Sequence, residues 1–135
     1  MEMNFRLEKN GENLIIAVAQ DYQTNEVLMV AYMNEEALKQ TLKTKKAHYY
    51  STSRGKQWMK GESSGNTQEV HEILIDCDAD AIILKISQKG AACHEGYRSC
   101  FFRQLDMDTK DITHINDEEI KTISKRLFDP KEMYG

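Results

Sequence analysis

The sequence predicts an α+β fold, with a mostly antiparallel sheet or barrel-like β core and two or more helices. Three observations predict it. Apolar runs of strand length recur along the chain, separated by polar turn residues. Helical patterns follow asparagine caps at Asn34 and Asn116. The chain has 135 residues, the length of one domain, and can bury a core without disulfides or a structural metal.

The elements follow in order. Residues 14–19 and 27–33 are apolar runs of strand length, and Thr24, Asn25 and Glu26 supply a polar turn, so a hairpin is expected. Asn34 then caps a helix whose first turn carries Glu35 and Glu36, where carboxylates favour the dipole. Ala37, Leu38, Thr41 and Leu42 form its less polar face, and Lys43, Lys45 and Lys46 crowd its end. His48, Tyr49 and Tyr50 make residues 47–53 a strand, because aromatic side chains fit a pleated surface. Residues 54–66, rich in Gly, Ser and Lys, read as a loop. Two further strands, 70–76 and 81–87, flank an acidic stretch at 76–80. A glycine-containing loop runs over 90–96, and residues 101–105 read as a further strand. Asn116 with Glu119 resembles a capping box, and Ile120, Ile123 and Leu127 recur at helical spacing, so a C-terminal helical extension is expected over about residues 116–128.

Composition excludes several classes. Hydrophobic residues make up 40% and charged residues 30%, which is neither disordered nor collagen-like. No apolar run reaches the roughly 18 residues of a membrane helix. Glu2, Arg6, Glu8 and Lys9 leave no apolar stretch for a signal peptide, so a cytoplasmic protein is expected. A net charge of −4 argues against general nucleic-acid binding. A phosphorylated small molecule remains compatible, provided a local basic site receives it.

Three segments carry chemistry. In the first, Asp76, Asp78 and Asp80 alternate with Cys77, so an extended chain would point the carboxylates to one side and the thiol to the other. Converging carboxylates suit Mg²⁺; the competing reading is a solvated acidic turn. An EF-hand is rejected, because Ala81 and Ser87 stand where its glycine and glutamate belong. In the second, Cys93 and Cys100 flank a loop containing His94. With Cys77 they make three cysteines, an odd number that fits either buried free thiols or a zinc site with an open fourth position. Zinc there would bring the pKa of a bound water to about 7, and His94 would move a proton or hold substrate. In the third, residues 51–66, Arg54 and Lys60 can neutralise phosphate and glycines allow close backbone approach. Trp58 either stacks on a base or caps the core.

These segments together resemble the phosphoribosyl-AMP cyclohydrolase family of histidine biosynthesis. The resemblance rests on Trp58-x-Lys60-Gly61-Glu62-x-Ser64-Gly65-Asn66-x-Gln68, on Asp76-Cys77-Asp78-x-Asp80-Ala81, and on Ala92-Cys93-His94-x-Gly96-x-x-Ser99-Cys100-Phe101. The stretches Val27-Leu28-Met29-Val30-Ala31-Tyr32-Met33-Asn34 and Ala47-His48-Tyr49-Tyr50-Ser51-x-Ser53-Arg54 add to it. It covers about residues 20–103 of a single expected domain, 1–135. The remaining tail is too short for the pyrophosphohydrolase domain fused to many members.

The resemblance implies an intertwined homodimer whose zinc is held by Cys77 of one chain with Cys93 and Cys100 of the other. It implies Mg²⁺ at Asp76, Asp78 and Asp80, and His94 as proton shuttle. Arg54, Trp58, Lys60, Ser64, Arg98 and Arg103 are the expected contacts to the nucleotide substrate. The implied reaction is hydrolytic opening of the adenine ring of 1-(5-phosphoribosyl)-AMP between N1 and C6, with zinc-activated water as the nucleophile. A zinc nucleobase deaminase is the enzymatic alternative, but its H-x-E and P-C-x-x-C signature is missing: Pro130 is the only proline, and no histidine has glutamate two places on. A non-enzymatic zinc-binding module is the other, and three cysteines suit an open site better than a closed one.

Overall fold

A computed structural model describes residues 1–134. Its centre is a mixed sheet in the order β5-β4-β3-β2-β7-β6, with β1 paired to β2 beside this path. The hairpin of β2 (Glu12–Asp21) and β3 (Val27–Met33) is antiparallel, as expected, with Ala17 opposite Ala31. β1 (Leu7–Lys9) doubles back onto the start of β2. β7 (Ala81–Gln88) runs parallel to β2, with Ile16 beside Ala81, and antiparallel to β6 (Gln68–Ile75). The remaining pairings of this sheet are antiparallel, so the mostly antiparallel α+β reading holds.

Alternation explains the core. Ile15, Ala17 and Ala19 of β2 and Ile82, Leu84 and Ile86 of β7 point inward at period two. They meet Leu28, Met29 and Met33 of β3 and Tyr49 of β4 (His48–Ser51). Helix α1 (Glu35–Thr44) packs against β4 and β3 and contributes buried Ala37 and Thr41. Its start is the expected one: the Asn34 side chain accepts the Ala37 N–H at 2.9 Å. Leu42, expected on the packed face, is exposed instead.

Three expectations need correction. Residues 54–66 are not all loop, because Lys56–Met59 form β5 and pair with β4, Trp58 opposite Tyr49. The cross-strand aromatic contact, with centroids 5.3 Å apart, outweighs the polar composition that flanks it. Residues 76–80 are not extended. They form a turn, with Ala79 at φ +59°, and the turn rather than the pleat gathers the aspartates. The expected helix over residues 116–128 is absent. The capping box is real, but it opens only a 3-10 helix, Asp117–Glu119, after which Ile120–Thr122 extend as β9. β9 pairs with β8 (Arg103–Leu105), whose backbone would otherwise lack a ladder partner. The short helix α2 (Pro130–Tyr134) follows. No helix among the described residues is long and apolar enough to cross a membrane.

Candidate active site

The cleft of interest, about 330 Å³, opens where β5 and its following turn meet the loop after β7. Its lining unites six residues singled out from sequence: Arg54, Trp58, Lys60, Ser64, His94 and Cys100. β5 supplies Trp58 and ends at the tight turn that begins with Lys60 and Gly61. Gly61 has φ +85°, and a Cβ there would lie 2.5 Å from the Asn66 backbone, so this turn requires glycine. Exposed His94 and Arg54 stand at the rim.

The loop joining the two cysteines is fastened to β3. The Cys100 N–H donates to the Leu28 carbonyl at 2.7 Å, and the Ser99 hydroxyl donates to the Val27 carbonyl at 2.8 Å. Within the loop, the Cys93 N–H donates to Tyr97 and the Gly96 N–H returns to Cys93. The Glu95 N–H points at the Cys93 sulfur, 3.4 Å away. Cys93 is buried; Cys100 is open to solvent on its outer side, yet near enough to Cys93 for the two thiols to influence each other electrostatically. Burial, and then the neighbouring Cys93, push the Cys100 thiol up to about 11. Two adjacent thiols in a protein-lined site match the donor chemistry of a soft metal, which would bind both as thiolates.

Lys60 is the unexpected member. Sequence suggested a phosphate contact, but its side chain is buried, lies 5.9 Å from the Trp58 ring, and shares its surroundings with both thiols. Desolvation lowers its pKa, and the charges of Cys100 and Cys93 oppose that shift. It therefore places positive charge beside the thiols as well as in the cleft.

Two expected substrate contacts lie elsewhere. Arg98 donates to the carboxylates of buried Asp21 and, at 3.2 Å, of Glu26, so it anchors the cysteine loop to the end of the β2–β3 hairpin. Arg103, on β8, lies over the Phe102 ring at 5.1 Å and does not line the cleft. Sequence gave no sign of Asp21 and Glu26 as partners, because they are remote along the chain.

Cys77 is also apart from the other cysteines. It sits in the exposed turn before β7, whose first residue, Ala81, lies beside Ile16, itself opposite Tyr32. Cys100 is tied to Leu28 on the same strand as Tyr32. Four residue steps separate Leu28 from Tyr32, roughly 13 Å along the strand. Accordingly, among the described residues the metal-competent cluster is not the cysteines but Asp76, Asp78 and Asp80, whose oxygens lie within 4.8 Å of one another. Hydrogen bonding to Asp80 raises the Asp78 pKa, and the same bond, with help from Asp76 and Arg6, lowers that of Asp80. Asp76 accepts the Asp80 N–H at 3.1 Å, and the Arg6 side chain pairs with Asp80. This oxygen-rich turn can bind a metal ion, with Arg6 as a competitor for one ligand.

Fold and site together define a class: a small α+β enzyme with paired thiols beside a cleft walled by an indole and cations. The description "Phosphoribosyl-AMP cyclohydrolase" belongs to the family model that matches residues 29–102. A protein so named from Methanobrevibacter smithii is 59% identical, covering 99% of this chain and 100% of its own length. Those from Methanothermobacter thermautotrophicus and Chlorobaculum tepidum are 57% and 52% identical, covering 98% and 96% of this chain and 91% and 87% of their own. The chain belongs to the phosphoribosyl-AMP cyclohydrolase family.

Proposed function

We propose that this chain hydrolyses the adenine ring of 1-(5-phosphoribosyl)-AMP between N1 and C6, giving the phosphoribosyl-formimino aminoimidazole carboxamide ribonucleotide of L-histidine biosynthesis. The observation that carries the reading is the thiol pair Cys93–Cys100 set beside a cleft that also holds His94, Trp58 and Lys60, in a chain of this family.

Alkylation at N1 makes the purine ring cationic and C6 electrophilic. Cys93 and Cys100, with Cys77 of the partner subunit, would hold zinc, which would supply an acidified water at neutral pH. His94, at the rim, takes a proton from the attacking water and returns it to N1 as the C6–N1 bond breaks. Trp58 offers its face to the base. Arg54, Lys60 and Ser64 hold phosphate and ribose oxygens. Asp76, Asp78 and Asp80 provide oxygen ligands for Mg²⁺, whose role beside Cys77 is to position substrate.

Two observations favour a homodimer. One chain separates Cys77 from the other thiols, and a second copy would supply what is missing. Outward-facing Val30, Tyr32 and Leu74 are each 40–49% exposed, an apolar surface suited to a second copy. The test is to assay purified protein on phosphoribosyl-AMP and measure metal content on the same sample. The ring-opened carboxamide with zinc bound supports the reading. Ammonia release would mark a deaminase, and zinc without turnover a binding module.

A further inference from the structure

We propose that residues 121–128, beyond the segment matched by the family model, form a strap that positions the Cys93–Cys100 loop. Arg126 and the Leu127 amide are its positioning groups. The proposal rests on the reading of that loop as a zinc-ligand loop.

The loop is gripped from two sides. Its inner side is tied to β3 through Ser99 and Cys100. Its outer side, residues 95–97, is held by the tail. The Leu127 N–H donates to the Gly96 carbonyl at 2.6 Å, and Arg126 Nε donates to the Glu95 carbonyl at 3.0 Å. The Arg126 guanidinium also lies 5.5 Å from the Tyr97 ring, which stacks on Phe102 at 3.7 Å. Phe102 in turn accepts the Ile123 N–H at 2.9 Å, so the same tail fixes the chain just past Cys100.

Gly96 makes the contact possible. It has φ +93°, and a Cβ there would overlap the Phe128 carbonyl oxygen. The tail backbone therefore lies directly on the loop backbone, closer than any side chain permits. Apolar burial contributes little to this docking, because Ile123 and Leu127 are 55% and 57% exposed. Hydrogen bonds and the Arg126–Tyr97 contact carry it instead. An attachment of this kind is reversible, and it presses on the residues that separate the two thiols. Strap docking and metal binding are then linked, each strengthening the other.

The test uses the full-length chain. Leu127→Pro deletes the donating N–H, whereas Leu127→Ala keeps it and alters only an exposed side chain. Arg126→Ala removes both guanidinium contacts, and Arg126→Lys restores charge without the planar group. The zinc dissociation constant is measured by chelator competition. In metal-free protein, the rate at which a thiol reagent modifies Cys93 is followed by mass spectrometry. Leu127→Pro and Arg126→Ala should each weaken zinc binding about tenfold, as loss of outer-shell support does, and speed Cys93 modification. Leu127→Ala should match wild type, with Arg126→Lys in between. If Leu127→Pro does not fold, Arg126→Ala at its exposed position decides. Unchanged zinc affinity and unchanged Cys93 reactivity in Arg126→Ala would overturn the strap. If wild type takes up no zinc, the metal reading fails, while Cys93 reactivity still decides whether the strap holds the loop.

Discussion

Replacing Tyr49 with phenylalanine isolates one buried network beneath the cleft. Tyr49 is fully buried, and its hydroxyl donates to Gln68 Oε1 at 2.6 Å. Gln68, also fully buried, passes its amide to Gln88 Oε1 at 2.9 Å and to the Met29 sulfur at 3.2 Å. Burial, then the nearby Cys100, push the Tyr49 phenol far up, so it stays a neutral donor throughout the usable pH range. Tyr49→Phe keeps the ring that packs on Trp58 but deprives Gln68 Oε1 of this buried donor. An acceptor deprived in this way costs about 1–3 kcal/mol. For a chain of this length that lowers the melting temperature by about 4–12 °C. The assay is thermal unfolding at fixed protein concentration and metal loading, since both shift the transition. Activity should stay near wild type, because Trp58 keeps its packing partner. A melting temperature unchanged to within about 1 °C would refute the claim that this hydroxyl satisfies a buried acceptor.

Three further perturbations address the site and its anchor. Cys93→Ala should leave a folded protein that has lost zinc and nearly all turnover; full activity in the metal-free variant would remove zinc from the account. Asp78→Asn should weaken Mg²⁺ dependence far more than zinc content, and an unchanged Mg²⁺ titration would favour a solvated turn. Asp21 gives a pH test. Burial alone would raise its pKa, but the Thr24 and Gln23 amides and the Arg98 guanidinium outweigh this and lower it. A carboxylate lowered in the folded state stabilises above its unfolded pKa of about 3.9 and loses that effect as pH falls through the folded value. Asp21→Asn should therefore lower the urea midpoint at pH 7, with the gap from wild type closing as pH drops below about 4. A gap that stays constant down to pH 3 would contradict the assignment.

The parts legible in sequence were those fixed by local chemistry. β3 matches its apolar run residue for residue, and Asn34 caps the first helix through its own side chain. What escaped was decided at long range. β5 exists because Trp58 finds Tyr49 across the hairpin, although Gly and Lys around it suggest a loop. The tail extends at Ile120 because β8 offers a strand edge, so helical spacing of Ile120, Ile123 and Leu127 had no face to bury. The cleft was visible as motif residues, but the ion pairs of Arg98 were not, since its partners Asp21 and Glu26 lie more than 70 positions away. Lys60 stood out in the motif and lines the cleft; its closeness to both thiols emerges only from folding.

The central claim is that one chain holds Cys93 and Cys100 while a second supplies Cys77. Its most direct test is to unfold Cys77→Ala and Cys93→Ala proteins, refold them together, and measure turnover of phosphoribosyl-AMP. A mixed dimer would carry one site lacking both ligands and one intact site. Half the dimers are mixed when chains pair at random, and half their sites are intact, so activity should return to about a quarter of wild type. No recovery, with mixed dimers shown to be present, would contradict a site built across two chains.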